Sequence, residues 1–169
     1  MRPASADERR AFSLAVDEWV PNGLEWLEAT TGAQLIAQPH RGQTAYSLAT
    51  QALAARLAAL PWPPEHAGLY LGRIGHRYEL SLEAARILGQ HPASPRARLG
   101  AASVQPFLYG RDLQGVRLEL RRRPVADGRV LVADDTGEVL GVARITAARA
   151  GTWNVQNVAD LGWYLREGG

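Results

Sequence analysis

The chain has 169 residues, 46% of them hydrophobic, with a formal net charge of only +2. That is long enough for one large domain or two small ones with a real apolar core. Cysteine is absent, which excludes a disulfide framework, thiolate metal ligation and a cysteine nucleophile. No window approaches the uninterrupted apolar run of a membrane helix, and no signal-peptide pattern opens the chain. A cytoplasmic protein without a membrane partner is the expectation.

All 19 basic residues are arginine, a bias that a GC-rich genome produces, so a bacterial source is expected. Residues 1–95 carry 8 Arg against 9 acidic residues, whereas 96–169 carry 11 against 8. The basic excess therefore lies in the second half. Arginine forks to phosphate and stacks on bases better than lysine.

In chain order, Ser5 and Glu8 have capping-box spacing. Phe12, Ala15, Val16 and Trp19 follow at helical intervals, predicting a core-packing helix that ends at Pro21. Asn22-Gly23 is a turn signal. Residues 24–29 fit a helical turn or a strand equally well. Short strands are expected at Leu35–Gln38 and Ala45–Leu48, with a turn at His40–Gly42 between them. The alanine-rich run from Thr50 reads as a helix, stopped by Pro61-Trp62-Pro63-Pro64. Strands at Gly68–Arg73 and Tyr78–Ser81 precede a helix at Leu82–Leu88. Gly89–Pro95 has two prolines and no apolar periodicity, the composition of a linker. The expected organisation is 1–90, a linker at 91–95, and 96–169.

Beyond the linker, short strands are expected at Arg96–Gly100, Val116–Arg121, Arg129–Asp134, Glu138–Thr146 and Trp153–Val158. Asp127-Gly128 and Asp135-Thr136-Gly137 read as hairpin turns. Val104, Phe107 and Leu108 mark a short helix that stops at Gly110, and Gly115 opens the next extended segment. Glycine just past a helix is a common exit, because it enters the left-handed region without steric cost. Arg111 and Asp112 lie between the two glycines. The residues read either as a helix cap feeding a strand or as a turn whose free N–H groups, beside the guanidinium, receive a phosphate.

No catalytic or metal site is legible. His40, His66, His76 and His91 fall at turns or beside prolines, without metal-ligand spacing. Asp134–Glu138 is too short for a calcium loop and reads as a β-turn. Gly72-Arg73-Ile74-Gly75 matches the GxxG clamp of KH domains, but it lies between strand signals rather than helices, so a hairpin is expected. Arg121-Arg122-Arg123 reads as a solvated loop or a phosphate contact. Trp153 and Trp163 are either buried or available for base stacking.

Phe107-Leu108-Tyr109-Gly110-Arg111-Asp112-Leu113-Gln114-Gly115-Val116 resembles the helix and glycine loop of a PUA domain, a small RNA-binding β-barrel. The Phe-Leu-Tyr-Gly form is similar to the Nip-seven family of large-subunit ribosome biogenesis. Gly141-Val142-Ala143-Arg144 resembles that family's late barrel strand, and Ala159–Arg166 its C-terminal segment. Leu69–Gly72 with Arg77–Leu80 resembles the strand pair that ends its first domain. The resemblance favours a strand at 24–29. It implies an α+β chain with a mixed helix–sheet N-terminal domain and a small C-terminal PUA β-barrel. It further implies RNA binding, of ribosomal RNA above all, through Tyr109, Gly110, Arg111, Arg144 and Arg149 on one face. The N-terminal domain would meet a protein partner. No catalysis, no cofactor and no metal are expected. The alternatives are an RNA-modification enzyme or its targeting subunit, and a PUA-like interaction module that does not bind RNA.

Overall fold

The computed structural model describes residues 2–40, 42–62, 64, 67–75, 77–163 and 166. His66, His76, Pro63, Arg41 of the His40–Gly42 turn, and Tyr164 and Leu165 of the closing motif lie outside the described residues. The chain divides into two compact units, Met1–Leu88 and Gly89–Gly169.

In the first unit, β1 (Arg2–Pro3) leads into α1 (Ala6–Asp17) and α2 (Gly23–Thr31). Then come β2 (Gln34–His40), β3 (Gln43–Ala49), α3 (Gln51–Ala58), β4 (Leu69–Ile74), β5 (Tyr78–Leu80) and α4 (Leu82–Gln90). The sheet runs β1-β2-β3-β4-β5, with every pair antiparallel. The capping box forms as its spacing predicts: the Glu8 N–H donates to Ser5 Oγ at 3.3 Å, and the Ser5 N–H donates to Glu8 Oε2 at 2.8 Å. Phe12 is fully buried, its ring centroid 4.7 Å from that of Tyr46 and 5.3 Å from that of Tyr78. The Tyr78 hydroxyl is buried and donates to the Leu71 carbonyl at 2.8 Å.

Residues 24–29 are helical, which corrects the strand favoured by resemblance. Leu24 and Leu27, three apart, are both buried. Glu28 is drawn onto α1 by Arg9, with Arg9 Nη1 2.6 Å from Oε1, and the same oxygen accepts from the Leu35 N–H at 3.0 Å. The carboxylate thus ties the end of α2 to both α1 and β2. The alanine-rich α3 forms behind a Thr50 cap (Leu53 N–H to Oγ1, 3.3 Å) but buries none of its residues. Intrinsic propensity and the cap carry it more than packing does. The Gly72–Gly75 segment belongs to the antiparallel β4–β5 pair, as the hairpin expectation has it.

Glu8 also takes Arg2 Nη1 at 2.6 Å and Nη2 at 2.8 Å. The Arg2 hydrogen bonds, followed by the Ser5 N–H, hold its carboxyl down at about 2, from an ordinary value of 4.5. Because the folded value is the lower one, this contribution is complete above pH 4.5 and is lost as the pH falls toward 2. A Glu8→Gln variant should therefore be less stable than the parent at neutral pH, with the gap closing between those two pH values. Denaturant titrations at several pH values check this, and a gap independent of pH would refute it.

The second unit contains β6 (Arg96–Leu99), α5 (Ala101–Leu108), β7 (Leu113–Val116), β8 (Leu118–Leu120), β9 (Arg129–Ala133), β10 (Val139–Ala147) and β11 (Trp153–Asp160). Its sheet order is β7-β11-β10-β9-β6-β8, antiparallel except for the parallel β6–β9 pair. The expected single strand over 116–121 is divided at Arg117: β7 pairs with β11, and β8 pairs with β6. These are opposite ends of the strand order, yet one residue joins them. One residue spans only about 3.3 Å, so the two edges must come together, and the sheet curls into a half-barrel. Its interior is packed by Leu99, Phe107, Val130, Val132, Leu140, Ile145 and Val155.

The Asp135–Gly137 turn joins the β9–β10 hairpin as expected. Asp127-Gly128, by contrast, is a local turn (Gly128 N–H to Val125 O, 2.8 Å) and not a hairpin loop, because β8 and β9 each pair with β6 instead. Residues 91–95 form a packed turn. Ser94 is fully buried and donates to the Gly89 carbonyl at 3.1 Å, and the Leu131 N–H donates to the Pro95 carbonyl at 2.9 Å.

Candidate nucleic-acid interface

The C-terminus of α5 organises the site. A helix leaves its last carbonyls without intrahelical donors, and an apolar environment makes that costly. Here Gly110 adopts a φ of +75°. Its N–H donates to the Phe107 carbonyl at 2.9 Å, and the Arg111 N–H donates to the Pro106 carbonyl at 3.2 Å. This pair of bonds is a Schellman motif. It corrects the phosphate-turn alternative: the N–H groups of Gly110 and Arg111 are engaged with the helix. The Gly115 N–H is likewise taken, by Asn154 Oδ1 at 3.1 Å. These three N–H groups are therefore not donors to a ligand at this turn.

Side chains from β11 and from the segment after it add donors: a second to the Phe107 carbonyl and one to the Leu108 carbonyl. Asn157 Nδ2 donates to the Phe107 carbonyl at 2.8 Å, while its own N–H donates to Asp112 Oδ1 at 2.8 Å. Arg166 Nη1 donates to the Leu108 carbonyl. The same guanidinium makes a two-pronged bond to Asp160, 3.0 Å to Oδ1 and 2.9 Å to Oδ2. The Asp160 side chain is only 2% exposed, against 32% for Arg166. A buried carboxylate needs such a partner, and the cation also favours the negative end of the helix.

Next to this clamp lies an open, largely apolar groove of about 430 Å³, floored by Leu108, Leu140, Leu161 and Gly162 and rimmed by Tyr109, Glu138 and Arg166. Tyr109 is 58% exposed, and its hydroxyl accepts from Gln105 Nε2 at 3.3 Å. An exposed ring beside a guanidinium over an apolar floor is chemically suited to a planar, polar-edged group.

Of the residues expected at the site, Tyr109, Gly110 and Arg111 share this turn, with Arg111 exposed. Arg144 belongs to a different row. It lies on β10 between Arg129 of β9 and Gln156 of β11, facing away from the Ala143 and Ile145 side that fills the barrel. Its guanidinium approaches Asp127 at 3.7 Å, and Arg129 Nε reaches the same carboxylate at 2.7 Å. Arg149 is exposed in the β10–β11 turn. Trp153 is half-buried and packs against the barrel core, the structural alternative, and Trp163 is 50% exposed. Sequence reasoning missed Asn157, Asp160 and Arg166. Asp134 is a turn residue, its Oδ1 accepting from Thr136 Oγ1 at 2.6 Å and the Glu138 N–H at 2.9 Å. No cluster of three potential metal ligands occurs among the described residues, and no helix there is long and apolar enough to cross a membrane.

Residues 97–169 match the model of the UPF0113 PUA domain. Curated relatives include a UPF0113 protein of Aeropyrum pernix, 39% identical over 106 residues, which covers 61% of this chain and 58% of the relative. Another, from Archaeoglobus fulgidus, is 29% identical over 110 residues, covering 61% and 63%. The matched part thus spans about three-fifths of the length of these relatives. Among solved structures, a conserved PUA domain protein from Thermoplasma acidophilum superposes with a TM-score of 0.58 over 95% of each chain. At 12% identity this likeness concerns the fold. The chain therefore pairs a mixed helix–sheet N-terminal region with a C-terminal PUA domain.

Proposed function

We propose that this chain, through its PUA domain, is a non-catalytic RNA-binding adaptor. The observation that carries the reading is the groove under Tyr109, with Arg166 on its rim and Arg111 next in the turn. PUA domains in general bind RNA. An exposed base stacks on the tyrosine ring over the apolar floor, and Arg111 meets a flanking phosphate, so the aromatic surface supplies selectivity and charge supplies affinity. The finer part of the proposal is ribosomal RNA, bound during processing or large-subunit assembly as in the Nip-seven family. The N-terminal unit would then present the RNA to a protein partner in the cytoplasm. The basic excess after residue 95 supports the RNA half of this reading.

The test is the affinity of a labelled single-stranded RNA at several salt concentrations. Tyr109→Ala should weaken binding about tenfold, since stacking on an aromatic contributes roughly 1–3 kcal/mol per base. Arg111→Ala should weaken binding across sequences and lower the log–log salt slope by about 0.7, one phosphate's share on a single strand. Parent-like binding by both variants, or no RNA binding by the parent, would sink the reading.

A further inference from the structure

The PUA unit carries a second basic concavity, away from the α5 turn. On β6 the residues alternate: Ala97 and Leu99 fill the barrel core, so Arg96 and Arg98 point outward. On β8, Leu118 and Leu120 pack against that core, leaving Glu119 outward and Arg121 exposed just beyond the strand. Register aligns Arg98 with Glu119 on one side and with Ala133 of β9 on the other. The Arg121 N–H donates to the Arg96 carbonyl at 2.9 Å, which pins the start of the Arg121–Arg123 run beside β6. Together, Arg96, Arg98, Glu119, Arg121, Ala133 and Gly137 line an open pocket of about 260 Å³.

The chemistry of the lining selects its ligand. Three guanidiniums face one carboxylate, which Arg98 already engages at 3.1 Å, so the pocket holds two uncompensated positive charges. Asp134, in the turn that supplies Gly137, directs Oδ1 to Thr136 and to its own turn; Asp135 is exposed in that turn. Ala133 and Gly137 are small, so an anion can enter between the long arginine side chains. Arginine forks bind the oxygens of a phosphate bidentately. Two residual charges match the dianion of a phosphomonoester better than the single charge of a phosphodiester.

We propose that Arg96, Arg98 and Arg121 form a pocket for a phosphomonoester, carried by the end of an RNA strand or by a free nucleotide. The RNA form of this proposal rests on the RNA-binding reading above; the pocket itself does not.

The experiment uses the full chain and one short single-stranded RNA in three forms: 5′-phosphorylated, 3′-phosphorylated, and with both ends hydroxyl. Adenosine monophosphate is titrated separately, with adenosine as the control. One terminal-phosphate RNA should bind about tenfold tighter than the hydroxyl form, the order expected for charge-assisted contacts. That preference should shrink below about pH 6, where the monoester dianion takes up a proton and becomes a monoanion. The double variant Arg96→Gln/Arg121→Gln changes outward-facing side chains, and circular dichroism checks its fold. It should lose the preference while still binding the hydroxyl form; Arg111→Ala should weaken all three RNAs and keep the preference.

Equal binding of the three RNAs, together with no preference for adenosine monophosphate over adenosine, overturns the pocket, as does a preference that survives in the double variant. If no RNA binds, the RNA reading fails by itself. Binding of adenosine monophosphate over adenosine that the double variant abolishes then supports the pocket as a nucleotide site, and no such binding overturns it.

Discussion

Arg166→Ala should destabilise the PUA unit by about 3 kcal/mol, the lower end of the cost of stripping one partner from a buried ion pair. The lower end applies because the arginine is a third exposed, while Asp160 is almost wholly enclosed. Without the guanidinium, Asp160 keeps its desolvation cost, and the Leu108 carbonyl loses the Arg166 donor. Removing both charges should cost less than removing one, so Asp160→Leu/Arg166→Met should be more stable than Arg166→Ala. The measurement is amide hydrogen exchange in β10 and β11, which reports on this unit separately from the first. RNA binding should weaken as well, because Arg166 forms one rim of the groove and holds the turn that presents Tyr109. A loss below about 1 kcal/mol, or a double variant no better than the single, would show that the clamp does not hold the turn.

Features with local causes were readable from the chain. The capping box at Ser5 and Glu8, the glycine exit at Gly110 and the β-turn at Asp134 each depend on residues within four positions of one another. The fold class was readable because the spacing of apolar residues changes from helical to short extended runs, and the Phe-Leu-Tyr-Gly segment resembled a PUA helix. What stayed hidden depends on distant partners. Residues 24–29 become helical with the help of Glu28, which meets Arg9 nineteen positions earlier. The break at Arg117 has no marker, since Val116, Leu118 and Leu120 continue the alternation while the strand changes partners. At the site, Gly110 was legible as a cap, but the consumption of its N–H by Phe107 depends on backbone geometry that side-chain identity does not report. Asp160 and Arg166 have no periodic signal that announces a clamp, because Arg166, which Asp160 holds, reaches a backbone carbonyl fifty-eight positions away. A strand from Arg96 was expected; that Arg96, Arg98 and Arg121 share one pocket follows only from the packing of Ala97 and Leu99 and the β6–β8 pairing.

Gly162→Ala should lower the melting midpoint of the PUA unit more than any other single methyl addition around the groove. A Cβ at Gly162 would sit 1.9 Å from the Leu108 carbonyl oxygen and 2.9 Å from Asp160 Oδ1. The first contact is with backbone, which no rotamer change relieves, so α5 and the closing segment must move apart. Overpacking of this kind costs about 3 kcal/mol, or roughly 12 °C and upward for a unit of this size. Gly110→Ala is the informative contrast. Its Cβ would approach Arg166 Nη2 at 3.0 Å, a side-chain contact that a shift of a few tenths of an ångström relieves without breaking the clamp, so the cost is chiefly the positive φ, about 1–2 kcal/mol. The two variants should separate in function too. Gly162→Ala displaces the carbonyl that Arg166 grips and so should impair RNA binding even at temperatures where the unit remains folded. Gly110→Ala should leave the grip on Leu108 in place and bind RNA within a few-fold of the parent. Thermal melts resolved by hydrogen exchange, with RNA titrations at 10–15 °C, check both halves. If Gly110→Ala proves the more damaging in stability and binding alike, the turn is held by its glycine conformation and not by the packing of the closing segment against α5.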